Sequence, residues 1–146
     1  MAAESVLVIN GPSLSRLGSR QPEIYGSSTL DDLKELLRER AAGNSVDLEF
    51  FQSDVEGELV RAVNSGSRHS GLIINPAAYS HYSIAIMDAM LAFQGPVAEV
   101  HISSVFSRES FRRDLVTARG ADVFIAGAGL EGYIHALEIV CGMLHK

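Results

Sequence analysis

Residues 71–101 read GLIINPAAYSHYSIAIMDAMLAFQGPVAEVH, and this stretch decides the architecture. It opens on a short apolar run, GLIIN at 71–75, and closes on another, PVAEVH at 96–101. Between them Ile84, Met87 and Leu91 recur at the three-to-four-residue spacing of a helix face. Two apolar strands joined through a helix make a strand–helix–strand unit, in which the strands run parallel and are buried on both faces.

The same alternation continues outward in both directions. SVLVIN at 5–10, DLEFFQ at 47–52 and DVFIA at 122–126 add three more strand-like runs. Leu30, Leu33 and Leu37 follow Thr29, which reads as an N-cap with Asp31 and Asp32 in the first turn. Leu59 and Val63 mark another helix, and Leu130, Ile134, Leu137, Cys141 and Leu144 form the stripe of a last one. A short helix is expected within 108–119. The pattern predicts an α/β three-layer sandwich around a five-stranded parallel sheet, in the flavodoxin-like order 2-1-3-4-5 with right-handed crossovers. Neither a linker nor a repeat interrupts it, so residues 1–146 are expected to form one domain.

Composition narrows the function classes. The chain has 146 residues, 47% hydrophobic and 21% charged, enough to bury a core. A net charge of -6 repels phosphate backbones, which argues against nucleic acid as a partner. The one cysteine, Cys141, excludes an intrachain disulfide and fits a reducing compartment. No apolar run reaches the roughly 18–20 residues of a membrane span, and MAAESVLVIN lacks the basic start of a signal peptide. The expectation is a soluble cytoplasmic protein. The only lysines are Lys34, in a charged helical stretch, and Lys146, so Schiff-base chemistry on a desolvated lysine has no carrier. His69, His81, His101, His135 and His145 show no close ligand spacing, and no metal is expected.

In open α/β sheets ligands bind beyond the carboxyl ends of the strands. Those ends carry Asn10, Gln52 with Ser53, Asn75, and His101 with Ser103. The set suits a polyol or sugar-like ligand better than a polyphosphate, although either asparagine alone could simply cap a turn. Glu99 and His101 stand two apart and share a strand face. A carboxylate there would fix the imidazole's tautomer and make His101 a general acid; the alternative is a plain ion pair. The segment 11–28 is unusually long for a loop and is punctuated by two prolines and three glycines, as a lid would be. It carries Arg16, Arg20 and Tyr25. A phenol is only about one part in a thousand ionised at neutral pH, and a guanidinium beside it favours the phenolate. Tyr25 would then be a base, unless it merely packs on the surface. GAGLEG at 127–132 imitates a dinucleotide fingerprint, but no later strand supplies the acidic residue that such a site needs, so its glycines are expected to serve close strand-to-helix packing.

Five motifs, NGPSLSRLGSRQPEIYG, FFQSDVEG, INPAAYSHYSIAIMDA, EVHISSVFSRESFR and IAGAGLEGY, together span nearly the whole chain. In order and spacing they resemble type II 3-dehydroquinate dehydratase. The resemblance implies a cofactor-free anti elimination of water from 3-dehydroquinate through an enolate, giving 3-dehydroshikimate, in the shikimate pathway or in quinate breakdown. It implies that Tyr25 is the base, that Arg20 keeps it ionised, and that His101, held by Glu99, protonates the departing hydroxyl. Asn75, His81, Ile102 through its backbone, Ser103 and Arg112 would bind the substrate. Asp88 would reach a neighbouring subunit's site in a dodecamer of four trimers.

The chain also departs from the family pattern. Ser13 stands where an asparagine is usual, Asp54 for asparagine, Ala77 for glycine, Tyr82 for threonine, Met87 for arginine, Ser104 for asparagine and Phe106 for a polar residue. These changes leave open a low-activity or non-catalytic relative that binds a quinate-like ligand. A nucleotide-binding module of the same fold is a third reading, resting on the glycine run alone.

Overall fold

The computed structural model describes residues 3–146. Five parallel strands, β1 (Glu4–Asn10), β2 (Val46–Gln52), β3 (Gly71–Asn75), β4 (Val97–His101) and β5 (Val123–Ala126), form one sheet in the order β2-β1-β3-β4-β5. The expected class, strand set and order are all present. The short α1 (Pro22–Tyr25) precedes α2 (Leu30–Gly43), α3 (Glu56–Asn64), α4 (Ile84–Ala92) and α5 (Glu131–Leu144).

Strand periodicity sorts the core into two layers. Val6, Val8, Ile73, Ala98 and Val100 face α2 and α5, packing with Leu33, Leu37, Ile134 and Leu137. Their sequence neighbours Leu7, Ile9, Leu72, Ile74 and Val97 face the other way, against Leu59 and Val63 of α3 and Ile86 and Met90 of α4. Thr29 caps α2 as expected: its hydroxyl accepts from the Asp32 amide while the Asp32 carboxylate accepts from the Thr29 amide, a reciprocal capping box. Among the described residues no helix is long and apolar enough to cross a membrane.

One local expectation is corrected. The short helix foreseen within 108–119 is instead a pair of 3-10 turns, Ser110–Arg113 and Thr117–Gly120, separated by extended Asp114. Extended Asp114 interrupts the backbone ladder between the two turns, so neither propagates into a longer helix. In the GAGLEG run the expected close packing of helix on strand is met at Gly132 of α5, where an added Cβ would stand 3.4 Å from Val100 of β4 and Ile125 of β5. Gly127 takes φ +87 against Ser104 and serves the turn out of β5. The segment 11–28 is also more ordered than a plain loop: it holds the 3-10 turn Leu14–Arg16 as well as α1.

Candidate active site

The strand register brings Asn10, Gln52 and Asn75 level at the carboxyl edge, since Asn10 pairs with Gln52 on one side and Asn75 on the other. His101 ends the next strand, level with Ala126. Over this edge a cleft of about 100 Å³ opens. Of the expected site residues, Arg20, Tyr25, Asn75, His81, His101, Ile102, Ser103 and Arg112 line it. Glu99 sits behind His101, and Asp88 lies outside the cleft, exposed on α4.

Glu99 and His101 share a face of β4, and both are buried. The His101 Nε2–H donates to Glu99 Oε2 at 2.7 Å. This fixes the ring and leaves Nδ1 as the nitrogen with no protein partner among the described residues. The second Glu99 oxygen accepts from the Thr117 hydroxyl at 2.5 Å. Both oxygens of a carboxylate with no exposed surface are thus satisfied, as a buried charge requires.

His81 donates from Nδ1 to the Asp114 carbonyl at 2.8 Å, because a carbonyl can only accept. Burial lowers its pKa, outweighing that carbonyl's opposite pull. At neutral pH His81 therefore presents its Nε2 lone pair as an acceptor suited to a hydroxyl.

The lid residue Tyr25 is half-buried, and Arg108, which sequence reading passed over, lies at its phenol oxygen. Arg108 Nη1 donates to Tyr25 Oη at 2.8 Å and to Ser103 Oγ at 3.3 Å. Its Nε–H is buried and unpaired, and among the described residues no carboxylate lies within ion-pair distance of it. Arg20, expected to be the activating group, stands over the Tyr25 ring instead, its Cζ 5.7 Å from the centroid. Two guanidinium groups thus flank one phenol, and among the described residues only Arg108 hydrogen-bonds its oxygen.

Below the cleft a relay joins three elements. The Tyr133 hydroxyl of α5 donates to Asn10 Oδ1 at 2.6 Å and accepts from Asn75 Nδ2 at 2.8 Å. Burial pushes the Tyr133 phenol well above its ordinary pKa, so it remains a donor. Asn75 Oδ1 accepts from the Ala77 amide at 3.0 Å. Asn10 and Asn75 therefore do more than end strands. Tyr133→Phe would strand two buried amide groups, and the expected loss of about 1–3 kcal/mol is measurable by denaturant unfolding.

Two departures lie at strained backbone positions. Ser13 has φ +68 and Ala77 φ +53, where the family pattern carries asparagine and glycine, residues that tolerate the left-handed region. Ser13 lines the cleft, and its amide donates at 2.9 Å to Asp54, another departure.

Fold and site together define an α/β enzyme with acid–base side chains gathered over the sheet's carboxyl edge. The protein-family description that matches is "Dehydroquinase class II", over residues 4–141. The chain is 46% identical over 140 residues to a 3-dehydroquinate dehydratase of Bartonella tribocorum, covering 95% of this chain and 94% of that protein. It is 43% identical over 141 residues to one of Clostridium botulinum, covering 96% of each. The crystal structure of type II dehydroquinase from Propionibacterium acnes superimposes with a TM-score of 0.91 at 42% identity, over 95% of this chain and 97% of that one. The chain belongs to the class II dehydroquinase family of hydro-lyases.

Proposed function

We propose that this protein dehydrates 3-dehydroquinate to 3-dehydroshikimate, with Tyr25 as base and His101 as acid. One observation carries the assignment of roles: Tyr25, with Arg108 on its oxygen, and His101, anchored by Glu99, line the same cleft. The Tyr25 phenolate removes the proton beside the ketone, and the C–H electrons pass into an enolate. As the enolate collapses, the carbon–oxygen bond to the ring hydroxyl breaks and the His101 imidazolium, its Nε2–H held by Glu99, passes its Nδ1 proton to the leaving oxygen and becomes neutral. The products are water and a ring whose new double bond is conjugated with the ketone. The elimination is anti, since base and acid act on opposite faces of the ring. Arg112, His81, Asn75, Ser103 and the Ile102 backbone hold the carboxylate and hydroxyls, and Arg20 stabilises the developing charge over the lid.

No step calls for a cofactor. The reading also puts Asp88, exposed on α4, against a neighbouring subunit's cleft within the trimers of a dodecamer. It places the protein in the cytoplasm, in the shikimate pathway or in quinate breakdown.

Mixing the protein with 3-dehydroquinate should produce the ultraviolet absorbance of a conjugated enone. Silence at high enzyme concentration overturns the activity. A second reading, a ligand-binding relative with little turnover, draws on Ser13, whose short side chain lines the cleft where an asparagine is usual. A rise in melting temperature with ligand, without enone formation, selects that reading.

A further inference from the structure

Thr117 has no place in the mechanism so far, yet among the described residues it supplies one of only two side-chain partners of the buried Glu99 carboxylate. Thr117 has no exposed surface, and its hydroxyl donates to Glu99 Oε1 at 2.5 Å. Glu99 Oε2 meets His101 Nε2 at 2.7 Å. Hydroxyl, carboxylate and imidazole thus form one chain, its far end the Nδ1 left without a partner among the described residues, on a ring that lines the cleft.

The geometry of Thr117 is fixed from outside that chain. It opens the 3-10 turn Thr117–Gly120, which presses onto α4 at Gly120. A Cβ added at Gly120 would lie 2.8 Å from Met90 Cβ and 2.9 Å from the Met87 carbonyl oxygen. The turn therefore has one seat on α4, and that seat sets where the hydroxyl points.

A carboxylate held at one oxygen can rotate about its terminal bond; held at both, it cannot. Misplacing a reacting group by about 1 Å can cost as much as a hundredfold in rate. We propose that Thr117 is a positioning residue for the acid step, locking the Glu99 carboxylate plane so that His101 presents Nδ1 to the leaving hydroxyl. The proposal rests on the Tyr25 and His101 roles given above.

The experiment compares Thr117→Val, which keeps the shape and removes the hydroxyl, with Thr117→Ser, which restores it, and with His101→Ala as reference. Thr117→Val should lower kcat on the order of 10- to 100-fold and leave KM within about twofold, because Thr117 touches no substrate. Thr117→Ser should recover most of kcat although it lacks the methyl group. A donor to a carboxylate favours its charged form. The acidic limb of the kcat–pH profile should therefore move to higher pH in Thr117→Val and return in Thr117→Ser. Added to Glu99→Gln, Thr117→Val should cost far less than it does alone, since both act on one group.

Wild-type kcat and an unmoved pH profile in Thr117→Val, with His101→Ala inactive, overturn the positioning role and leave the acid assignment standing. Activity retained in His101→Ala overturns the acid assignment itself. If Thr117→Val melts too low to assay, the serine variant decides: loss of kcat there, despite an intact hydroxyl and fold, overturns the proposal.

Discussion

Tyr25→Phe is expected to suppress formation of the conjugated enone by a factor on the order of 100 to 10,000, the usual contribution of a positioned general base. The substitution removes one oxygen. The ring remains between Arg20 and Arg108, whose guanidinium carbons stand 5.7 and 5.5 Å from its centroid. Tyr25 is only half-buried, so circular dichroism and thermal melting should change little. Substrate binding should persist, because the groups that hold the carboxylate and hydroxyls are untouched. The loss therefore falls on kcat. A variant that turns over at the wild-type rate would remove Tyr25 from the chemistry.

Arg108→Met should be nearly as damaging, about 100- to 1,000-fold in kcat, in line with loss of one preorganised electrostatic donor. The argument is geometric. Arg108 alone contacts the phenol oxygen, at 2.8 Å, and no acidic partner competes for its charge among the described residues. Arg20→Met removes a cation from the ring face instead and should cost less. The family resemblance points to Arg20 as the activator, so the pair of variants discriminates: equal activity in wild type and Arg108→Met returns that role to Arg20. Raising the pH should partly rescue Arg108→Met, since hydroxide then ionises the phenol that the guanidinium no longer assists.

How far the site could be read beforehand depended on the distance over which each contact is encoded. The strands were legible because parallel strands buried on both faces leave near-continuous apolar runs, such as GLIIN and VAEVH. Glu99 and His101 were legible because strand geometry alone puts residues two apart on one face. Arg108 was not. Its partner lies 83 positions earlier, and the meeting depends on how two loops fold over the edge. Thr117 reads as an ordinary polar residue in a charged stretch, 18 positions after the carboxylate it holds. Tyr133 was hidden differently: its ring fills the core beneath β1 and β3, and nothing in a helical stripe reveals where a hydroxyl will point.

The Tyr133 relay also bears on when activity arises as the polypeptide emerges from the ribosome. Asn10 leaves the ribosome 123 residues ahead of its hydroxyl partner. A nascent chain that stops short of α5 holds Tyr25 and His101, yet its strand-end amides lack the tether that aligns them. Catalytic competence then waits on synthesis of α5, and onset of turnover would time the docking of that helix.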